Sequence, residues 1–183
     1  EENGKTKLSY ARTSKYDNLL RYEGYELILK ILRYLYQIDA YISIAEVARE
    51  RGFVFAEALP LGGNILEIEG MFHPLIENAI PNSIQADAEH NVVFLTGANM
   101  AGKATFMKTF GIVVYLAHMG FPLPVKKMRF SVQNGMYTTI NLPDNMMLGY
   151  SHFYAEVQRL KKVAEQVGRI GNLVIVFDEL FRG

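Results

Sequence analysis

Between Ser14 and Glu50, apolar residues recur at mixed three- and four-residue steps: Leu20, Leu27, Ile31, Leu35, Ile38, Ile42, Ala45 and Ala48. This spacing predicts a helix with one buried stripe. Gly52 is its expected stop, and Gly24, at a cost near 1 kcal/mol relative to Ala, marks a start or a bend. Tyr22, Tyr25, Tyr34, Tyr36 and Tyr41 crowd the same segment. They are too many for one stripe, so the helix is expected to pack against more than one neighbour.

After Gly52 the period shortens. Phe53–Phe55 and Ile65–Ile68 are β-like runs separated by Pro60, Gly62 and Gly63, and a new domain is expected to begin here. Val92-Val93-Phe94-Leu95 is a continuous apolar run, the pattern of a strand buried on both faces. A helix is predicted from Lys103 to Met119, closed by Gly120 and the Pro122/Pro124 pair. Arg129–Val132 and Met136–Ile140 read as two strands of a hairpin turning at Asn134-Gly135. Ser151 can cap a helix with Phe153, Val157, Leu160, Ala164 and Val167 on its core face and Gly168 as its stop. Leu173–Phe177 is a second fully apolar strand, running into Asp178-Glu179. The alternation predicts an α/β fold.

Composition narrows the classes of function. With 183 residues, 50% of them hydrophobic and 21% charged, the chain has enough apolar material for a packed core. Lys and Arg number 19 against 19 Asp and Glu, so the broad positive field of a sequence-independent DNA clamp is missing. Cysteine is absent, which excludes disulfide scaffolds, thiol nucleophiles and Cys-based metal sites. The stretch from Phe110 to Val125 is too short and too interrupted to span a membrane, and the start has no signal-peptide pattern. A cytoplasmic location is expected. Because the first residue is not Met, both ends are expected to be cuts in a longer protein.

The segment that carries chemistry is Gly97-Ala98-Asn99-Met100-Ala101-Gly102-Lys103-Ala104-Thr105. Two glycines and a lysine at this spacing, between a predicted strand and a predicted helix, form a phosphate-loop pattern. Glycine lets successive N–H groups point at phosphate oxygens, the helix N-terminus adds its dipole, and Lys103 adds a point charge. Ala104 occupies the position whose Ser or Thr hydroxyl ordinarily ligates Mg²⁺. Thr105 lies about 100° further round the helix and is expected to touch a different phosphate. Asp178 and Glu179 follow a strand, where one carboxylate can hold Mg²⁺ through water and the other polarise the attacking water. Alone, that pair would be an ordinary acidic strand end.

The loop resembles the G-P-N-M-G-G-K-S-T loop of the MutS mismatch-repair ATPases. Asp178-Glu179-Leu180-Phe181-Arg182-Gly183 is similar to that family's D-E-x-x-R-G, and the stretch from Asp144 through Gly149, Ser151 and Phe153 to Glu156 is similar to its D-x-x-x-x-G-x-S-x-F-x-x-E. The segment from Ile38 to Ala48 and the His73-Pro74 step also fit. The resemblance implies an ABC-type P-loop ATPase sheet flanked by helices. A helical connector over residues 1–52 would precede it, and residues 53–183 would form the N-terminal part of the ATPase domain, ending just after the Walker B motif. It implies ATP and Mg²⁺ as cofactors, Asp178 as the metal residue, and Glu179 and Lys103 as catalytic residues. Ser151 would act in trans across a homodimer of the full-length protein, whose other domains contact DNA.

The departures are Ala98 for Pro, Ala101 for Gly, Ala104 for Ser, and Ala79-Ile80 where many members carry an aromatic that stacks on adenine. Two alternatives stand beside the ATPase reading, whose turnover in this chain alone is expected to be very low. One is a nucleotide-dependent dimerisation module with little turnover. The other is another ABC- or SMC-like DNA-associated ATPase.

Overall fold

The computed structural model describes residues 9–140 and 152–178. The chain divides into two compact units, Glu1–Val47 and Ala48–Gly183. In the first unit, α1 (Tyr10–Asn18) is capped by Ser9, passes through a π-helical turn at Leu19–Glu23, and gives way at Gly24 to α2 (Tyr25–Arg51). Glycine is required at 24 because a Cβ there would lie 2.8 Å from the Leu19 carbonyl oxygen. The apolar stripe of the helix is real in spacing, yet none of the described residues of α1 or α2 is buried. Gly52, with φ +66°, ends α2 at the expected stop.

The second unit holds a four-stranded mixed sheet in the order β1-β4-β2-β3: β1 (Glu57–Leu59), β2 (Leu66–Met71), β3 (Asn82–Ala86) and β4 (Lys127–Ser131). Strand β1 pairs parallel with β4, and β2 pairs antiparallel with both β3 and β4. Period-2 alternation explains the faces: Leu66, Ile68, Met128 and Phe130 point into the core, whereas Glu67, Glu69, Lys127 and Arg129 point out. Register sets Glu67 opposite Arg129 and Glu69 opposite Lys127, a cross-strand charge match that a one-residue slip would destroy. Arg129 bonds both Glu57, at 3.0 Å, and Glu67, at 3.3 Å. Glu69 takes Lys126 as its partner, and that contact holds the Glu69 carboxyl below the usual range.

Helix α3 (Lys103–His118) turns Phe110, Val113, Val114 and Ala117 toward Ile68, Met71, Met128 and Phe130, with Leu123 and Val125 completing the cluster. A separate two-stranded parallel sheet, β5 (Gly135–Thr139) with β6 (Leu173–Phe177), joins the same core through Val176. Helix α4 (His152–Ile170) leads into β6.

This architecture corrects the expected ABC-type P-loop ATPase sheet. The strands form two sheets, one mixed and one of two strands, and among the described residues no ladder includes Val92–Leu95. That run, read as doubly buried, is instead exposed, Phe94 to 88%. The Asn134-Gly135 hairpin is also absent, because β4 pairs with β1 and β2 while β5 pairs with β6. Gly168 does not stop α4, which runs to Ile170 and ends at Gly171, φ +63°. Among its described residues Val163 is buried, whereas Val157 and Val167 are exposed; the side chain of Phe153 lies outside the described residues.

Candidate functional site

The loop from Gly97 to Gly102 enters α3 through two left-handed residues, Met100 at φ +64° and Gly102 at φ +91°. Glycine suits the second because its backbone conformation disfavours a Cβ. Gly102 occupies the N-cap and offers no side-chain cap, so the first N–H groups of α3 are the ones a helix leaves without internal partners. Lys103 folds back across the loop, its Nζ donating to the Gly97 carbonyl at 2.7 Å and the Ala98 carbonyl at 2.8 Å. The Ala101 N–H donates to the Ala98 carbonyl at 3.2 Å. The ammonium is therefore held against the loop backbone by acceptors that an anion could replace.

A cleft of about 380 Å³ opens at this turn, within the range of small-molecule sites. Ala101, Gly102, Lys103 and Thr105 line it from the loop and α3, and Thr96 from the segment before them. The opposite wall is the β2–β3 connection, including His73, Ile76, Asn78, Ala79 and Ile80. Of this wall the sequence motifs point only to His73, Ala79 and Ile80. Asn78 and Phe106 belong to no motif, although an Asn between two elements readily takes a left-handed conformation, here φ +53°. Phe106 lies three residues after Lys103, on the same helix face.

Lys103 and Thr105 thus share the cleft, whereas Ala104 and Asp178 are not among its lining residues. Met100 projects fully into solvent. Asp178 follows the last residue of β6. Ser151 and Glu179 lie outside the described residues, as do Asp144–Tyr150 and Leu180–Gly183. Among the described residues no group of three or more His, Asp or Glu side chains gathers in the manner of an all-protein metal cage.

Residues 93–183, which carry the loop, α3 and β6, match the family described as MutS domain V. The chain belongs to the MutS family. Its 161 matched residues are 30% identical to the DNA mismatch repair protein MutS of Thermus aquaticus, covering 86% of this chain and 19% of that protein. The DNA mismatch repair protein MutS of Desulforamulus reducens is 31% identical over 85% of this chain and 18% of its own length. DNA mismatch repair protein MutS 1 of Halobacterium salinarum is 31% identical over 82% and 17%. This MutS-family chain spans less than a fifth of the length of those relatives. The domain V match also stands in place of the ABC-type sheet assignment: the matched segment supplies β4 to the mixed sheet and both strands of the β5–β6 pair. No helix among the described residues is long and apolar enough to cross a membrane.

Proposed function

We propose that this chain binds ATP through the loop 97–105, as the nucleotide-responsive part of a longer MutS-family protein that acts on DNA. The observation that carries the reading is Lys103 folded against the Gly97 and Ala98 carbonyls at the mouth of a cleft that begins at a helix N-terminus. A triphosphate supplies the oxygens that would draw Nζ away from those carbonyls, and the first N–H groups of α3 would take the phosphate nearest them. Thr105 adds a hydroxyl on the same wall. The base end of the cleft would meet Ile76, Ala79 and Ile80, which offer aliphatic contact without aromatic stacking.

A phosphate-bound Mg²⁺ needs few protein ligands, which suits a cleft whose wall carries the Thr105 hydroxyl and no carboxylate. Asp178 would hold that ion through water, and the metal would neutralise phosphate charge. Glu179 is proposed to orient the attacking water. Ser151 would complete the site from the partner subunit of a homodimer, so this chain alone hydrolyses ATP very slowly. The relatives' names, DNA mismatch repair protein MutS, support a mismatch-repair role for the longer protein.

A second reading, nucleotide as a dimerisation signal with little turnover, is favoured by Ala104, which lacks the hydroxyl a metal ligand requires. Affinity measured beside turnover in the longer protein separates the two. For binding itself, titration calorimetry with ATP should show Lys103→Ala at least about tenfold weaker than the parent chain, the loss of one charge-assisted contact. Equal affinity would remove the loop from the site.

A further inference from the structure

His118, the last residue of α3, has both ring nitrogens engaged by backbone. Its Nδ1 lies 2.8 Å from the Val114 carbonyl oxygen, and its Nε2 lies 3.0 Å from the Gln133 nitrogen. A carbonyl only accepts and an amide N–H only donates, so Nδ1 carries the hydrogen and Nε2 accepts through its lone pair. The ring leans on Phe130 of the core, with centroids 4.8 Å apart. The next residue after Gln133 continues the connection. Asn134 donates its backbone N–H to the Asn172 carbonyl at 2.8 Å and its side-chain amide to the Ile170 and Gly171 carbonyls. It thereby caps the end of α4 and fixes the start of β6, where Gly135 stands in register with Leu173.

We propose that His118 and Asn134 form a clasp joining α3 and the four-stranded sheet to the α4–β5–β6 part of the fold, and that protonation of His118 opens it. The sign follows from the hydrogen inventory. A second ring proton would sit on Nε2, facing the Gln133 N–H, so the bond exists only for the neutral ring and is lost as pH falls. The groups that meet the ring, the Val114 carbonyl from α3, Phe130 from β4 and Gln133 from the connection, carry no charge to offset this. Of the charged and titratable side chains on the elements packed here, Lys127 and Arg129 alternate to the outer face of β4, where Arg129 is taken by Glu57 and Glu67. On α3, Tyr115 is exposed, and on α4, Arg169 is engaged by Gln166. Apolar contact through Val176, with Met136, Ile140 and Val174 packed beside it, also joins the two parts, but it lacks the directionality of the hydrogen bonds. Because α3 begins at the loop and Asp178 directly follows β6, the clasp also sets the spacing of two proposed nucleotide groups. That consequence rests on the preceding proposal, while the clasp itself does not.

Imidazole nitrogen NMR and amide hydrogen exchange on the whole chain, from about pH 8 to about pH 5, test it. The expected result is an Nδ1–H ring at the upper end. As that ring gains its second proton, exchange in Asn134–Thr139 and Leu173–Phe177, corrected for intrinsic pH dependence, should rise about tenfold. Exchange in Leu66–Ile68 should stay unchanged. His118→Phe, which keeps an aromatic ring against Phe130, should show the fast exchange at every pH and no step. An Nε2–H ring, a titration of His118 with no change in those amides, no titration of His118 in the range, or a step retained in His118→Phe would each overturn the proposal.

Discussion

Gly102 shows how one residue type serves the candidate site. Its φ of +91° falls in the left-handed region, and a Cβ built on it would meet nothing within 4 Å, so any penalty for a side chain comes from the backbone alone. Gly102→Ala should therefore lower unfolding free energy by about 1–2 kcal/mol, read as a shift of the urea midpoint without a change in slope. A cost near zero would mean that the loop relaxes to a different entry into α3. At this scale the sequence was informative: the Gly-Lys spacing located the turn, and Lys103 and Thr105 do share one cleft. Spacing gave no access to Asn78 or Ile76, because they reach the cleft from a connection 25 or so residues upstream whose path depends on how β2 and β3 pair.

The elements were legible where the signal is local. Periodicity found α2, α3 and α4, and apolar runs found β2, β4, β5 and β6 to within a few residues. Pairing was not legible, because it depends on contacts between residues far apart in the chain: Glu57 lies opposite Arg129. The Asn134-Gly135 dipeptide has the chemistry of a hairpin, yet Asn134 uses its amide to cap α4 from outside that helix. Strand β4 is the element on which this pairing converges, since it contacts both β1 and β2 and sends Phe130 into the core. Phe130→Ala should cost about 3–5 kcal/mol, measured by denaturant unfolding. A loss below 1 kcal/mol, an order-of-magnitude bound for a surface change, would show that the cluster around α3 closes without that ring.

The whole chain combines one well-packed cluster with apolar surface that its own described residues do not cover. The run Val92–Leu95 is apolar and exposed and lies in no ladder among the described residues, a combination that favours association between copies. Sedimentation velocity should show mass rising with concentration for the parent chain and a smaller rise for Phe94→Lys. Identical behaviour of the two would place self-association elsewhere. Positive charge is equally constrained: Lys126 and Arg129, two of the few clustered basic residues, are already paired with Glu69, Glu57 and Glu67. This chain therefore offers nucleic acid little unpaired charge along β4, and the proposal rests on its nucleotide cleft.

The most direct test of that cleft is amide hydrogen exchange on the chain with and without ATP and Mg²⁺. Protection is predicted at two separated segments together, residues 97–106 and 72–80, because both line the same cleft. Protection of neither, or of a surface that excludes both, would contradict the assignment of nucleotide binding to this loop.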